Sequence, residues 1–575
     1  DMEGSRGLGD VYKRQIECPC SILFFKLSGM RLGIINGEGS GMTDQTRAAD
    51  RLVDSLIMAG TDTVFSLSGN QIMSIYDAAI GKPLRIVHAR HEGGAVYMAD
   101  GYSRASGKVG VALVTAAPGF TNALGPLYPV MQSQTPLLLL SGDSPTNRDS
   151  MGAFQEFDQS LTTRGLVKES WRCTNPERLP LDIAGGIRMA QSGRPGPVHI
   201  ALPEDMLNET TATADTHALE FNAELSPLSQ ADLHAIMSML DNASNPLIIT
   251  GPSLSETCQP GLTRKAQDAL QIPVITMQSP RGLNDPALGD LRSILKAADQ
   301  IVLIDKDVDF TLGFGDEQVM PCERIAMVAA EADSIARASN LISGRLEWGC
   351  LGDPVSALNA LIEANTVKGP KAWMESVTAA TRKRPPHPKE GEAATAPAIL
   401  NAMNAVITEM ETPPILIIDG GEFGQWSQSI LPTEQMHING LSGAIGGSIP
   451  QAVGAAMANP GRRVIALLGD GTAGFHFMEI EIARKYDLPI TFIIGNDYRW
   501  GAEVEIQKRQ FGANRMEGCM LDATTRYDRM ASAVGAKGVM AEDTASFVKA
   551  LTASFNGRKP VVINTIIEGL PAPTF

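Results

Sequence analysis

Two short apolar runs separated by a stretch of helical period organise the C-terminal part of the sequence. Residues 464–468 and 490–494 are almost entirely apolar, the pattern of strands covered on both faces of a parallel sheet. Between the two runs, Phe475, Met478 and Ile482 recur at helical spacing. The pattern predicts one strand–helix–strand unit of a parallel sheet.

Apolar runs alternate with helical segments in two other parts of the chain. In the N-terminal part the runs are at residues 63–67, 85–88, 109–115, 136–140 and 197–202. In the middle part they are at residues 246–250, 273–277, 300–305 and 324–328. Polar segments at residues 204–229 and 382–398 separate the parts, and the second is charged and proline-rich. We predict an α/β fold with three doubly wound parallel-sheet domains at residues 42–203, 231–365 and 396–575.

Residues 1–41 differ from the rest of the chain. They show no clear period, and DVYKRQ at residues 10–15 back-translates to a nucleotide sequence that resembles a transposon end. The apolar run at residues 21–25 is too short for the core of a signal peptide. We expect residues 1–41 to be a non-native or disordered extension, with the native start at Met42.

Composition and charge narrow the function further. The 575 residues carry 48 Lys and Arg against 64 Asp and Glu, a net charge of −16, which argues against nucleic acid as a partner. No segment approaches a membrane span. The seven cysteines are scattered and odd in number, which argues against a disulfide framework and favours a reducing, cytoplasmic location.

An acidic residue follows each of the two C-terminal strands. Asp470 lies between two glycines, and Asp497 follows Gly495-Asn496. Because the carboxyl ends of parallel strands meet at one edge of a sheet, these two carboxylates could hold Mg²⁺ that bridges to a diphosphate. An isolated Gly-Asp-Gly also fits a strand-end turn with a solvated acid.

The spacing of these motifs is more specific. Asp497 comes 27 positions after Asp470, which resembles the thiamine diphosphate (ThDP) signature of the acetolactate synthase superfamily. In that family the second metal ligand is usually the later asparagine of an Asn-Asn pair. Asp497 stands at that place and is the expected ligand, and Asn496 is the alternative. The resemblance implies a third ligand in the backbone carbonyl of Arg499. It also implies that the diphosphate contacts Gly471 and Thr472.

Two other segments resemble the diphosphate-binding domain of the same family. Residues 419–426, DGGEFGQW, match its first diphosphate-contacting loop. Residues 443–446 match a loop in which the carbonyl of Gly443 accepts a bond from the exocyclic amine of the cofactor and Ile445 packs between its two rings; packing at a helix start is the other interpretation of Ile445. The first loop implies cofactor contacts from Gly421, Glu422 and Phe423.

The N-terminal part resembles the pyrimidine-binding domain of ThDP enzymes. RHEGGAVYMADGYSRASG at residues 90–107 carries Glu92 at the place of the family's catalytic glutamate. TAAPGFTNALGPL (115–127) and GAFQEFD (152–158) extend the resemblance over most of residues 43–203. By itself Glu92 is an ordinary acid of a first helical turn. The resemblance implies that its carboxyl shares a proton with the pyrimidine ring of the cofactor.

The middle part leaves a nucleotide site open. DFTLGFG at residues 309–315 resembles 2-hydroxyacyl-CoA lyases and oxalyl-CoA decarboxylases. Asp307 stands where those families and the FAD-binding acetolactate synthases tend to carry arginine. Two interpretations of the middle domain are open: it binds FAD, CoA or ADP, or its role is purely structural.

The residues after Asp497 bear on the reaction. Glu503 matches a glutamate that helps protonate or release the intermediate in ThDP decarboxylases, and Trp500-Gly501-Ala502-Glu503 is nearer to sulfoacetaldehyde acetyltransferase than to acetolactate synthase. The resemblance implies a ThDP- and Mg²⁺-dependent carboligase or lyase that makes or breaks a C–C bond beside a carbonyl. It also implies a homodimer or homotetramer with active sites at the dimer interface.

Several alternatives remain at this point. The leading substrate is a small 2-oxo acid, used in decarboxylation or carboligation. The second hypothesis is a 2-hydroxyacyl-CoA lyase or oxalyl-CoA decarboxylase acting on an acyl-CoA. A hypothesis of another class is a catalytically silent binding subunit, which Glu92, Asp470 and Asp497 together argue against.

Overall fold

The computed structural model describes residues 45–212, 219–384, 394–432, 434 and 436–573. The prediction for residues 1–41 and most of the linker predicted at 382–398 lie outside these ranges. Three parallel sheets with helices between their strands confirm the predicted α/β class. In the described ranges, no helix combines the length and the apolar character that a membrane crossing requires.

The first sheet has six parallel strands. The strands of this region are β1 (Gln45–Arg47), β2 (Thr63–Ser66), β3 (Arg85–His88), β4 (Gly110–Val114), β5 (Leu137–Asp143), β6 (Ser170–Arg172), β7 (Pro197–Pro203) and β8 (Thr210–Ala212). The helices are α1 (Ala48–Met58), α2 (Met73–Ala78), α3 (Glu92–Ser106), α4 (Pro118–Gln132), α5 (Gln159–Thr163), α6 (Leu179–Gln191) and α7 (Glu204–Asn208). The order is β3-β2-β4-β5-β7-β6, and β1 pairs with β8 separately. Strands β4 and β5 are buried at every position, as their unbroken apolar runs predict.

The second sheet has five parallel strands in the order β10-β9-β11-β12-β13. These strands are β9 (Pro246–Thr250), β10 (Val274–Thr276), β11 (Gln300–Ile304), β12 (Ile325–Ala329) and β13 (Leu346–Leu351). The helices are α8 (Gln230–Asp241), α9 (Leu262–Leu270), α10 (Leu291–Ala297), α11 (Ala332–Leu341), α12 (Pro354–Ala364) and α13 (Lys371–Thr381). The strand order changes direction between β9 and β11, where such sheets form a crevice.

The third sheet has six parallel strands in the order β15-β14-β16-β17-β19-β18. These strands are β14 (Ile415–Ile418), β15 (Met436–His437), β16 (Val464–Gly469), β17 (Ile490–Asn496), β18 (Lys537–Ala541) and β19 (Val561–Ile566). The helices are α14 (Ala396–Thr408), α15 (Gly421–Ile430), α16 (Ser448–Ala458), α17 (Asp470–Ala473), α18 (Ile480–Lys485), α19 (Gly501–Phe511), α20 (Tyr527–Ala533) and α21 (Thr544–Ser554). Gly469 pairs with Gly495 in register, so Asp470 and Asp497 follow neighbouring strand ends.

The helix predicted between β16 and β17 is divided. Helix α17 ends at Ala473, a 3₁₀ turn spans Phe477–Glu479, and α18 begins only at Ile480. Phe475 and Met478, which the sequence pattern places on one helical face with Ile482, are 53% and 45% exposed. The prediction of one continuous helix is wrong because the chain leaves helical geometry at His476 (φ −127°, ψ 33°) and the α-helix begins again only at Ile480.

Helices α3 and α16 join the first and third sheets into one packed unit. A Cβ at Gly101 would lie 2.1 Å from the carbonyl oxygen of Gln451, and one at Gly454 would lie 1.9 Å from that of Met98. These two glycines therefore allow the helix backbones to touch. Asp100 accepts a 2.6 Å hydrogen bond from the Gln451 side chain, and a continuous apolar core lies on both sides of the contact.

Candidate active site

A cavity of about 200 Å³ lies at the carboxyl edge of the third sheet. The lining comes from Ala396 and from residues within 420–426, 443–445, 469–472, 495–503 and 567–570. The lining includes all but one of the site residues predicted from the sequence: Gly421, Glu422, Phe423, Gly443, Ile445, Asp470, Gly471, Thr472, Asp497, Arg499 and Glu503. The exception is Glu92.

Two acidic side chains, Asp470 and Asp497, line the cavity. Asp470 is 2% exposed, and burial followed by the charge of Asp497 raises the pKa of Asp470 to about 7. Burial also raises the pKa of Asp497, opposed by Arg499, whose Nε lies 2.8 Å from Asp497 Oδ2. Two carboxylates of this kind, one buried and one partly buried, favour a bound cation.

The metal ligands available in the cavity are few. Across the described ranges, no three His, Cys, Asp or Glu side chains come together in a way that could hold a metal ion. A site here therefore depends on Asp470, Asp497 and backbone or cofactor oxygens, which is the ligand set that suits Mg²⁺.

The loop after β17 distinguishes Asp497 from its neighbour Asn496. The Asn496 side chain donates to Asn564 Oδ1 at 3.1 Å and accepts from the backbone N–H of Tyr498 at 3.2 Å. Tyr498 has a left-handed φ of 58°, and this turn leaves Asp497 to line the cavity. Asn496 therefore serves as an internal brace of the loop.

Glu92 lies in the first sheet's part of the chain, at the first residue of α3. Its side chain is 8% exposed, and its Oε2 accepts a hydrogen bond of 3.0 Å from Asn122 Nδ2. It does not line the cavity that contains the other predicted residues. Within one chain, the glutamate and the carboxylate pair thus occupy separate places.

Both parts match family models of known domains. Residues 46–162, which contain Glu92, match the thiamine pyrophosphate enzyme N-terminal TPP binding domain. Residues 419–565, which contain most of the cavity lining, match the C-terminal TPP binding domain of the same enzymes. The chain is a thiamine pyrophosphate enzyme. Thiamine pyrophosphate (TPP) and ThDP are the same cofactor.

This thiamine pyrophosphate enzyme is similar along most of its length to two kinds of characterised protein. It is 28% identical over 545 residues to the acetolactate synthase large subunit IlvG of Mycobacterium tuberculosis, covering 91% of this chain and 96% of the relative. It is 27% identical over 474 residues to the acetolactate synthase isozyme 1 large subunit of Escherichia coli, covering 79% of this chain and 82% of the relative. It is also 28% identical over 562 residues to human 2-hydroxyacyl-CoA lyase 2, covering 88% of each chain.

Glycines set the walls of the cavity in this thiamine pyrophosphate enzyme. A Cβ at Gly471 would lie 2.6 Å from the ring of Trp500, and a Cβ at Gly420 would lie 2.6 Å from Ile445 Cγ2. The Trp500 ring also contacts Phe475 edge-on, with centroids 6.3 Å apart. The close approach of these rings and of Ile445 therefore requires glycine at both positions.

Sequence reasoning missed the role of Asp419 in the thiamine pyrophosphate enzyme. This buried carboxylate accepts hydrogen bonds from the backbone N–H groups of Gly420 and Gly446 and from the hydroxyl of Ser448. It ties the loop that carries Gly443 and Ile445 to the end of β14. Its position after a strand, like that of Asp470 and Asp497, was the available signal.

Proposed function

We propose that this thiamine pyrophosphate enzyme binds ThDP with Mg²⁺ and makes or breaks a C–C bond beside a carbonyl. The reaction is decarboxylation or carboligation of a 2-oxo acid, as in an acetolactate synthase-like enzyme. The supporting observation is the convergence of distant segments on one cavity that contains the buried Asp470 and the partly buried Asp497. The similarity to acetolactate synthase large subunits supports the same reaction class.

The residues in the cavity fit the cofactor. Asp470, Asp497 and the Arg499 carbonyl would hold the metal ion, and Gly471 and Thr472 would contact the diphosphate near the start of α17. Ile445 would pack against the cofactor rings, with its loop fixed by the buried Asp419. When bound, ThDP supplies an electron sink for cleavage or formation of the bond beside the carbonyl.

Glu92 and Glu503 would transfer protons. Glu92 would exchange a proton with the pyrimidine ring and activate the cofactor, held in place by Asn122. Glu503 lies exposed in the first turn of α19 on the cavity wall, where it can reach a substrate. A catalytically silent subunit would need neither group, so the presence of both favours an enzyme.

The separation of Glu92 from the cavity supports a homodimer. We propose that a second copy of the chain supplies Glu92 to each cavity, with a homotetramer as a pair of such dimers. The test is a hybrid dimer of two differently tagged variants, Glu92→Gln and Asp470→Ala. Its intact cavity is on the Glu92→Gln chain, so bound ThDP should exchange its thiazolium proton at the wild-type rate.

The same hybrid also tests the opposite arrangement, in which Glu92 serves the cavity of its own chain. If Glu92 served the cavity of its own chain, the cofactor bound to the Glu92→Gln chain would exchange as slowly as in the Glu92→Gln homodimer. Because the readout is proton exchange on bound cofactor, no substrate has to be known.

The crevice of the second sheet bears on the substrate class. Asp307 accepts two hydrogen bonds from Arg194, at 3.0 and 3.1 Å, and one of 3.2 Å from Arg337. Arg194 also lies 2.9 Å from the buried Asp305, directly after β11. These pairs use the arginines of the crevice internally, where a nucleotide would need them for its phosphates. We therefore favour a free 2-oxo acid over a CoA thioester.

A 2-hydroxyacyl-CoA lyase or oxalyl-CoA decarboxylase is the second candidate. The similarity to human 2-hydroxyacyl-CoA lyase 2 and the DFTLGFG segment at residues 309–315 favour it.

A thermal-shift panel separates the two substrate classes. We expect small 2-oxo acids to stabilise the ThDP-bound protein, and CoA, ADP and FAD to leave its melting temperature unchanged. A ligand at 100 times its dissociation constant adds about 2.7 kcal/mol to the free energy of unfolding, enough to be measured. A large shift with CoA or ADP and none with the oxo acids would favour the lyase.

A further inference from the structure

A buried carboxylate outside the cavity holds the segment that carries Glu92. Glu479 is 1% exposed and ends the 3₁₀ turn nine residues after Asp470. Its Oε1 accepts hydrogen bonds of 3.1 Å from the backbone N–H groups of Arg90 and His91, and its Oε2 lies 3.1 Å from the Arg90 nitrogen. The two residues directly before Glu92 are therefore fixed by a side chain of the third sheet's part of the chain.

Gly94, two residues after Glu92, belongs to the same arrangement. A Cβ at Gly94 would lie 2.3 Å from Glu479 Oε1, so only glycine leaves room for the carboxylate. On the other side, His91 Nδ1 accepts from the N–H of Gly93 at 3.0 Å. The backbone on both sides of Glu92 is thus constrained, while the Glu92 carboxyl itself stays free for its partner Asn122.

The surroundings show that the Glu479 bonds go to backbone rather than to a charged side chain. The Arg90 guanidinium turns outward, 3.7 Å from Glu481, and no Arg or Lys forms an ion pair with Glu479 in the described part of the chain. Burial, opposed by the two N–H groups, raises the pKa of Glu479 to about 7. The His476 ring lies near His91, with centroids 5.6 Å apart.

We propose that Glu479 is a positioning residue that holds the turn of Glu92 in the orientation needed for proton transfer to the cofactor. This inference rests on the proposed function. Because Glu479 belongs to the same segment as Asp470, the cofactor-binding part of a chain also sets the geometry of that chain's own glutamate. In a dimer with shared sites, this contact links the two active centres.

Four variants separate the reach of the side chain from its charge. Glu479→Gln keeps an oxygen that can accept both N–H groups. Glu479→Asp keeps the charge but is one methylene too short, and Gly94→Ala places a methyl group where the carboxylate lies. Glu481→Gln is the matched control, because Glu481 lies 3.7 Å from the outward side chain of Arg90 and takes no hydrogen bond from the backbone N–H groups of Arg90 and His91.

Two readouts are measured on the ThDP-loaded full-length protein. The first is deuterium uptake by the backbone amides of residues 88–95, followed by mass spectrometry, which also applies without cofactor. The second is exchange of the thiazolium proton. We expect Glu479→Asp and Gly94→Ala to expose the amides and to slow proton exchange about 10- to 100-fold, since a displacement near 1 Å costs that much.

Glu479→Gln should stay within about threefold of wild type, and Glu481→Gln should not differ from it. ThDP affinity and melting temperature, measured alongside, should change little in any variant that folds. Wild-type proton exchange in Glu479→Asp and Gly94→Ala would overturn the proposal, whether or not the amides become exposed. Wild-type proton exchange in Glu479→Asp together with slow proton exchange in Glu479→Gln would overturn it as well. The charge of the side chain, and not its length, would then determine the exchange rate.

Failure of the proposed function looks different. In that case the wild-type protein itself would show no exchange of the thiazolium proton, and the Glu479 variants would only alter amide exposure. If Glu479→Asp does not fold, Gly94→Ala tests the same contact from the opposite side.

Discussion

Replacing Glu92 with glutamine is expected to leave ThDP bound and to abolish exchange of its thiazolium proton with solvent deuterium. Glutamine keeps the shape of the side chain and an oxygen for the 3.0 Å bond from Asn122, but it cannot take up or release a proton. A positioned acid–base group contributes roughly 10²- to 10⁴-fold, and the exchange rate constant should fall by that amount. Quenched-flow deuteration followed by NMR of the released cofactor measures it.

Glu503→Gln is the control for this experiment. Glu503 is the other carboxylate assigned to proton transfer, and it lies exposed on the cavity wall, where it would act on substrate after the cofactor is activated. Its variant should exchange the thiazolium proton at the wild-type rate. Wild-type exchange in Glu92→Gln would show that another group activates the cofactor, and loss of ThDP binding would assign Glu92 to binding instead.

The sequence could predict the sheets because their strands carry the strongest local signal. Unbroken apolar runs such as residues 464–468 and 490–494 indicate strands buried on both faces, and the structure places both in the third sheet. The division of the intervening helix was not predictable in the same way. Phe475 and Met478 fit a helical period, but in the structure Phe475 packs against Trp500 and Gly446, and these contacts lie outside the local pattern.

The candidate site shows the same limit. Strand ends and short motifs predicted residues of one cavity, because each motif carries its polar residue within a few positions of a strand end. Glu479 has no such signal, since its partners Arg90 and His91 are almost 390 positions away along the chain. The different surroundings of Asn496 and Asp497 also needed the structure, because they depend on the contact between Asn496 and Asn564.

Asp470→Ala is expected to lose Mg²⁺ binding and, with it, ThDP binding. Burial, followed by the charge of Asp497, already raises the pKa of Asp470 to about 7. Removing the Asp470 carboxylate removes a metal ligand, and a diphosphate without its metal would then face the negative charge of Asp497. The fold should remain intact, because Tyr527 donates its hydroxyl to the backbone carbonyl of Asp470 at 2.7 Å, which alanine retains.

Calorimetric titration of metal-stripped protein with Mg²⁺ and ThDP measures the loss of affinity. The affinity should fall by more than about a hundredfold, because replacing a residue that only supports a metal ligand costs up to that amount. Asp487→Ala, at an exposed acid on the same strand–helix–strand unit, is the control and should bind normally. Asp497→Asn keeps a side-chain oxygen at this position, so it should still bind Mg²⁺ and ThDP, whereas Asp470→Ala should bind neither. Undiminished ThDP affinity in Asp470→Ala would place the metal site elsewhere.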